Sequence, residues 1–186
     1  MTSILKSFVS LLCGHFDNSA QVETLRAKGD DTFPAAEHVN TACNDKLRNL
    51  PDDFDGCFIL EESYYTVRGK TNASPHLFCF TEDNGEITLT SYDLPDGVDQ
   101  SLLTAATFPV VDFRELKPSE KFTPAVYHLR DGVWEGGSES MFSPVLKFTL
   151  FERFSEELLE VTETMEVNGR RTFGYDEPIL YRRQKK

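Results

Sequence analysis

The chain has 186 residues and a formal net charge of −12, which fits one domain of an acidic protein. An acidic surface repels phosphate backbones, so the composition disfavours nucleic-acid binding. No run of eighteen apolar residues occurs, and the N-terminal apolar run lacks a small-residue cleavage site. We therefore expect a single domain over 1–186 with no signal peptide and no membrane insertion. The expected location is the cytoplasm, or the plastid stroma if the host is eukaryotic.

Four cysteines occur at positions 13, 43, 57 and 79, and no two of them have a C-x-x-C spacing. The four histidines are scattered as well. The spacing therefore predicts no metal site. Reduced and mostly buried thiols are the simpler expectation.

The N-terminal segment, 1–22, is expected to contain an amphipathic helix. Its apolar residues recur at helical spacing, a hydroxyl residue precedes them, and Gly14 stands near the end. A second helix is predicted over residues 34–50, since Pro34 suits a first helical turn. The first helix covers one end of the domain in the simplest interpretation. The alternative is that its apolar face binds a protein partner.

From residue 56 onward, the sequence reads as a series of short strands. Aromatic and β-branched runs, one of them over 108–116, alternate with turns and are predicted to be strands. Asn84-Gly85 and Asn168-Gly169 are strong hairpin signals. No helical crossover separates these strands, so the sheet is expected to be antiparallel and to close. The predicted fold is mainly β: a calycin- or lipocalin-like antiparallel up-and-down β-barrel over 56–183, with the N-terminal α-helix plugging or flanking one end. Such a barrel can hold one small ligand.

Glu61 and Glu62 interrupt an apolar strand. Successive side chains of a strand point to opposite faces, so one carboxylate points inward if this strand lines the barrel. Ser63 and Tyr65 share the face of Glu61, and Arg68 shares the face of Glu62. An inward carboxylate needs a partner and is suited to accept hydrogen bonds from ligand N–H groups. The alternative is that both carboxylates are solvated at a bend or an edge.

Three further residues are candidates for ligand contact. His76 begins the following strand, and Tyr92 lies on the next hairpin, where an inward ring can stack on a planar ligand. Trp134 follows a tight turn and precedes a Gly pair, which is compatible with the rim of a cavity. For Tyr92 and Trp134, the alternative is an ordinary place in the core.

The order of several short motifs resembles the CpcT/CpeT-type chromophore lyases, a family that attaches bilins to phycobiliproteins. The motifs are "GHFDNSAQ", "GCFILEESY", "TLTSYDL", "VYHLRDGVWEGG" and "RRTFGYDEPILYRR". The positions that match the family pattern are Gly14, Phe16, Asn18, Gln21, Glu61 and Tyr92. The similarity extends over nearly the whole chain but is thin at each point.

The resemblance implies a calycin-type barrel that holds a linear tetrapyrrole while a cysteine of an acceptor phycobiliprotein subunit adds to it. It implies no permanently bound cofactor. Glu61 would then be the catalytic carboxylate facing the pyrrole N–H groups, and the ligand-binding candidates are Tyr65, Arg68, His76, Tyr92 and Trp134. A homodimer is left open.

The sequence departs from the family pattern where an arginine-containing stretch is replaced by "SPHLFCF", which contains His76. Arg68 or Lys70 could take over the role of binding propionates. The alternative function is a non-enzymatic calycin-type protein that binds another small apolar or amphipathic ligand.

Overall fold

The computed structural model describes residues 1–185. The helices are α1 (Ser3–Leu12) and α2 (Ser19–Ala27), and short 3-10 turns lie at Asn44–Lys46, Gln100–Leu102 and Phe113–Glu115. The strands are β1 (Gly14–Asp17), β2 (Ala35–Ala42), β3 (Leu47–Arg48), β4 (Cys57–Val67), β5 (Lys70–Asp83), β6 (Glu86–Tyr92), β7 (Val111–Asp112), β8 (Ala125–Arg130), β9 (Val133–Ser143), β10 (Leu146–Phe154), β11 (Leu158–Val167), β12 (Arg170–Phe173) and β13 (Ile179–Arg183).

Ten strands within residues 1–185 form a closed antiparallel barrel in the order β1, β2, β4, β5, β6, β8, β9, β10, β11 and β13. The barrel closes where β13 pairs with β1. β12 pairs with the end of β11 outside this ring, and β3 and β7 form a small parallel pair elsewhere. The prediction of a mainly β, up-and-down barrel with an N-terminal helix is confirmed. Both Asn-Gly pairs lie in hairpins, with positive φ at Asn84 and Asn168.

The predicted helix over 34–50 is wrong, because most of this segment is β2. Ala36, His38 and Asn40 are buried, and they alternate with more exposed residues. This period of two places one face in the barrel, and that tertiary burial outweighs a weak helical pattern.

Two expected boundaries also change. The N-terminal segment 1–22 contains α1, the short strand β1 and the start of α2, rather than one helix. The barrel begins at Gly14 rather than at residue 56, since β1 and β2 are two of its strands. None of the helices in residues 1–185 is long and apolar enough to cross a membrane.

Helix α1 plugs one end of the barrel. Leu5, Phe8 and Leu12 are buried on its inner face, and the Thr2 hydroxyl caps its start by accepting a hydrogen bond from the Leu5 N–H. The Phe8 ring lies with its centroid 5.0 to 5.4 Å from four other rings. Those rings belong to Phe80, Tyr127, Trp134 and Phe154. The apolar face of α1 therefore covers the barrel, as the simpler of the two interpretations predicted.

A second apolar cluster lies outside the barrel, against the outer faces of β4 and β5. Phe58, Leu60 and Leu77 contribute from the strands, and the segment 93–118 packs over them. The strand predicted over 108–116 is mostly part of this covering segment, with only Val111–Asp112 in β7. One side of the barrel is therefore a two-layer structure.

The N-terminal residues that match the family pattern hold the two ends of the chain together. Gly14 has φ +148°, and a Cβ there would lie 2.4 Å from Nη1 of Arg183. The Arg183 guanidinium donates hydrogen bonds to the carbonyl oxygens of Cys13 and Leu11, and it lies 4.5 Å from the ring centroid of Phe16. Glycine suits this position because a φ of +148° is a backbone conformation that residues with a side chain rarely adopt.

Asn18 and Gln21 complete this arrangement, which we call the terminal latch (Gly14, Phe16, Asn18, Gln21 and Arg183). Asn18 Nδ2 donates to the Pro34 carbonyl, and Oδ1 accepts from the Ala36 N–H. Gln21 Nε2 donates to the Pro178 carbonyl at 2.9 Å, and Oε1 accepts from the Leu180 N–H at 2.9 Å. The family-like pattern is thus a structural signature that joins α2 to β2 and β13.

Candidate ligand site in the open end of the barrel

The barrel interior changes character along its axis. Near α1 it is filled by apolar and aromatic side chains. At the other end, inward positions carry carboxylates, imidazoles and hydroxyls, and several of these inward side chains are half-buried rather than buried. We call this end the mouth. Polar groups beside an apolar floor are the usual makeup of a small-molecule site, although the cavity between Tyr65, Glu163 and Phe173 has a volume of only about 10 Å³, room for one water molecule.

Glu61 points into the barrel and Glu62 points out of it, which confirms that one carboxylate of the pair faces inward. Glu61 shares its face with Ser63 and Tyr65 on β4. Glu62 lies under the outer covering segment, where it accepts hydrogen bonds from the Ala105 N–H and the Tyr64 hydroxyl. Only Glu61 can therefore meet a ligand inside the barrel.

His38 is the ionic partner of Glu61. Its Nδ1 lies 3.3 Å from Glu61 Oε2, close enough for an ion pair, although its N–H direction does not meet hydrogen-bond geometry. Its Nε2 is 3.1 Å from the Ser63 hydroxyl. Burial would lower the pKa of His38, but the Glu61 carboxylate outweighs it and the pKa is raised. Burial likewise opposes the charge of Glu61, and His38 outweighs it, so the Glu61 pKa is lowered.

A second carboxylate faces the mouth from β11. The Tyr65 hydroxyl donates to Glu163 Oε2 at 3.2 Å, and this bond crosses the barrel between β4 and β11. The Tyr181 hydroxyl is 3.4 Å from the Tyr65 hydroxyl. Burial raises the pKa of Glu163 and of both tyrosines. Both phenols therefore stay neutral, and their protons are held in the chain of hydrogen bonds from Tyr181 to Tyr65 to Glu163.

A third carboxylate lies deeper in the barrel. Glu152 is 7% exposed and accepts a hydrogen bond from the Tyr127 hydroxyl. Burial, followed by the charge of Glu61, raises the pKa of Glu152 to about 7. The site therefore holds a carboxyl that exchanges its proton near neutral pH.

His76 is placed beside this cluster as the sequence predicts. It is the direct register partner of Glu61 across β4 and β5, so both side chains are on the inner face. Its Nε2 is 3.0 Å from the Ser74 hydroxyl, and its ring stacks in parallel with Phe78 at 5.6 Å between centroids. His76 and Phe78 form a flat wall next to Glu61.

The other three candidates lie elsewhere. Tyr92 points outward and packs against Phe58 at 5.0 Å between ring centroids, so the expectation of an inward tyrosine is wrong. Trp134 is buried beside Phe8 in the apolar floor, as a core residue rather than a rim residue. Arg68 lies in the β4–β5 turn with positive φ, above the mouth but not inside it. The structure thus brings Glu61, Tyr65 and His76 together.

Sequence reasoning missed His38, Glu152, Glu163 and Tyr181. His38 was hidden by the helix prediction for β2. The other three lie on inward positions of strands that pair as β10, β11 and β13. The alternation of apolar and polar residues in "ELLEVTETMEV" carried a signal, but only the closed ring shows that its inner face meets Glu61.

The carboxylates of Glu61, Glu152 and Glu163 favour ligands that carry hydrogen-bond donors or a positive charge. Within residues 1–185, no Lys or Arg makes an ion pair or a hydrogen bond with Glu61, Glu152 or Glu163. His38, whose pKa is raised by the Glu61 carboxylate, supplies the nearby positive charge. Such a cluster can accept hydrogen bonds from N–H groups and can supply protons. The described residues contain no group of three or more His, Cys, Asp or Glu placed to hold a metal ion.

The cysteines are unsuited to act as nucleophiles. All four are unbridged, and Cys43, Cys57 and Cys79 are buried. Burial raises the pKa of Cys57 to about 11 and that of Cys43 and Cys79 to about 12. The reactive form of a cysteine is the thiolate, which is scarce at neutral pH under these conditions.

No protein-family model and no curated protein matches this chain. What the fold and the site define is the class: a calycin-like closed antiparallel barrel with an N-terminal helix at one end and an acidic, hydroxyl-rich interior at the other.

Proposed function

We propose that the protein is a bilin-binding chromophore lyase or chaperone that helps to attach a linear tetrapyrrole to a cysteine of a phycobiliprotein subunit. The observation that carries the proposal is the inward carboxylate of Glu61, which lies in the polar half of the barrel interior and pairs with His38 alone among the described residues. Pyrrole N–H groups need such an acceptor. The ordered motifs that resemble the lyase family support the choice of ligand.

The other walls are compatible with a planar ligand. The parallel His76 and Phe78 rings offer an aromatic surface, and the Tyr65 ring lies across the barrel from Glu163. Arg68 and Lys70 in the β4–β5 turn are the cations placed to meet propionates above the mouth. Tyr92 and Trp134 contribute to packing instead.

In this proposal the nucleophile comes from the partner. The raised pKa values of the buried thiols in this chain leave the acceptor subunit as the source of the cysteine. Addition of an S–H across a carbon–carbon double bond forms one C–S bond and one C–H bond, with no leaving group and no oxidant. The protein's part is to hold the tetrapyrrole and to expose the reacting end at the mouth.

The binding step is tested with phycocyanobilin and micromolar protein by visible absorption. We expect a shifted band for the wild type, a much weaker one for Glu61→Gln, and an unchanged one for Tyr92→Phe, whose ring lies outside the barrel. Absence of any shifted band with the wild type would sink the proposal. The transfer step is tested by adding an apo-phycobiliprotein subunit and its Cys→Ser variant, and by looking for acid-stable colour on the former only.

A non-enzymatic binding protein for another small ligand is the second candidate. The observation that favours it is the absence of any Lys or Arg contact with the inner carboxylates in residues 1–185, since a propionate-bearing ligand needs cations close by. Native mass spectrometry of protein purified from its own host tests it. A co-purifying species that is not a bilin supports this candidate, and a clean apo mass counts against it.

A further inference from the structure

The mouth of the barrel ends in three hairpin turns. These are the β4–β5 turn (67–70), the β9–β10 turn (143–146) and the β11–β12 turn (167–170), and we call them the mouth turns. The second and third are joined, since the Asn168 N–H donates to the Val145 carbonyl at 2.8 Å. The first faces them across the opening, as the Tyr65 to Glu163 hydrogen bond shows.

The mouth turns and the strand ends beside them expose apolar side chains. Five of these are 38% to 59% exposed: Val67, Met141, Val145, Val167 and Phe173. They are spread over β4, β9, β11, β12 and the β9–β10 turn, at one end of the molecule. Register confirms their proximity, because Leu146 pairs with Val167 and Met165 pairs with Phe173. Several exposed apolar groups that share one end mark an interaction surface.

The same turns are basic although the chain carries a net charge of −12. They contain Arg68, Lys70 and Arg170, with Arg171 following directly, and none of the turns contains an acidic residue. Within residues 1–185, Arg68, Lys70 and Arg170 make no ion pair, whereas Arg171 pairs with Asp176. Acidic groups lie close by: Glu166 is the register partner of Arg171 and pairs with Lys147, and the 28–34 and 174–178 loops carry further carboxylates on one side of the mouth.

We propose that the mouth turns dock on an anionic lipid surface, with their aliphatic side chains at the boundary of headgroups and acyl chains and their basic side chains on lipid phosphates. Shallow apolar contact combined with Lys and Arg is the chemistry of peripheral membrane binding. Charges more than about 8 Å apart are largely screened at physiological salt, so Arg68, Lys70 and Arg170 of the turns, which make no ion pair among the described residues, dominate the contact with lipid phosphates.

Docking in this orientation places the opening of the barrel against the lipid. A poorly soluble ligand can then pass between the bilayer and the site beside Glu61 without crossing water. This inference goes beyond the proposed function and holds for any membrane-partitioning ligand. The contact is superficial and needs no chain segment that spans the bilayer.

An acidic protein surface is the competing occupant. Protein interfaces concentrate their energy in a central, well-packed anchor, often Trp, Tyr or Arg in a pocket. The mouth turns and the strand ends beside them instead present separate apolar side chains with no central anchor, and two of the three turns also carry cations. That arrangement fits a laterally fluid surface better than a fixed complementary one.

Vesicle co-sedimentation tests the proposal. The probes are phosphatidylcholine vesicles with and without about 30 mol% phosphatidylglycerol. The negative charge of phosphatidylglycerol attracts basic protein segments. We expect the wild type to bind the anionic vesicles only and to be released by high salt. Arg68→Glu with Arg170→Glu should weaken binding at least tenfold, and Val145→Asp several-fold. The matched controls are Lys6→Glu on α1 and Leu129→Asp on the far β8–β9 hairpin, which should bind within twofold of the wild type.

Melting temperatures of all variants confirm that each is folded. The proposal is overturned if the wild type ignores anionic vesicles, binds neutral ones equally well, or is weakened as much by the control changes. If vesicles are ignored but a phycobiliprotein subunit retains the wild type and not the double charge variant, the mouth docks on protein instead. Loss of vesicle binding by Val145→Asp, at a position with no role in the bilin site, together with an intact bilin spectrum would separate this inference from the proposed function.

Discussion

The carboxylate of Glu61 lies 3.3 Å from Nδ1 of His38 across two neighbouring strands inside the barrel. In the β2–β4 register, His38 is opposite Ser63 and Glu61 is opposite Asn40, so the ion pair is diagonal. Each partner holds the other in its charged form despite burial. The pair therefore fixes a negative group on the inner wall, where a ligand N–H can reach it.

Replacing Glu61 by Gln should lower the pKa of His38, because burial then acts on the imidazole without its main opposing charge. NMR titration of the histidine ring signals measures this. Glu62→Gln on the outer face of the same strand is the control and should leave the pKa of His38 unchanged. A His38 pKa that is the same in Glu61→Gln and wild type would contradict the ion pair.

The free energy of unfolding should be highest at about pH 5 and should fall as the pH rises toward about 8. The pKa of His38 is raised above 6.5, so its contribution is complete below pH 6.5 and is lost as pH rises through the raised value. The pKa of Glu61 is lowered below 4.5, so its contribution is present above pH 4.5 and is lost as pH falls through the lowered value. Glu152, raised from 4.5 to about 7, destabilises the fold as pH rises through that window.

Thermal melts from pH 4 to pH 9 measure this profile. Glu152→Gln should flatten the fall between pH 4.5 and about pH 7, because an amide does not ionise in either the folded or the unfolded state. Glu139→Gln on the exposed side of β9 is the matched control and should keep the wild-type slope. If the melting temperature falls as steeply with pH in Glu152→Gln as in the wild type, other groups cause the fall.

The terminal latch should contribute measurably to stability. Gln21→Ala removes the partners of the Pro178 carbonyl and the Leu180 N–H, which are part-buried. Leaving such groups unpaired costs about 1–3 kcal/mol. Chemical denaturation measures the loss, with the exposed Glu23→Ala on the same helix as the control. Equal midpoints for the two variants would show that the latch is not stabilising.

The plug formed by α1 should depend on Phe8. Phe8→Ala removes a fully buried ring that contacts four others and should cost about 3–5 kcal/mol. For a chain of this length, that corresponds to a fall of roughly 6–20 °C in melting temperature. Ile4→Ala on the exposed side of α1 should change the melting temperature by far less. Similar losses in both variants would mean that α1 does not fill the barrel end.

The buried thiols should react slowly in the folded protein. The pKa of Cys57 is raised to about 11 and those of Cys43 and Cys79 to about 12, so thiolate is scarce at pH 8. A thiol-specific chromogenic disulfide should label these three cysteines only after denaturation. Mass mapping identifies the labelled positions. Rapid native labelling of any of the three would contradict their burial.

The closed barrel was predictable because strand alternation, Asn-Gly turns and the lack of crossovers are local features. The inward direction of Glu61 followed from the period of two within β4, with no need for the rest of the fold. β2 was missed because "AAEHVNTA" carries both periods weakly, and only pairing with β1 and β4 selects the strand. Tyr92 was misplaced because its face depends on which side of β6 the 93–118 segment covers.

The sequence by itself determined the class of fold, the helix at one end and the strand that carries Glu61, because these depend on neighbours a few residues apart. Only the tertiary structure decided that His38, Glu61, Tyr65 and Glu163 share one interior. Those residues are up to 125 positions apart, and they meet because the ring closes between β13 and β1. The same closure brings Arg183, from the other end of the chain, against Gly14 and the carbonyl oxygens of Leu11 and Cys13.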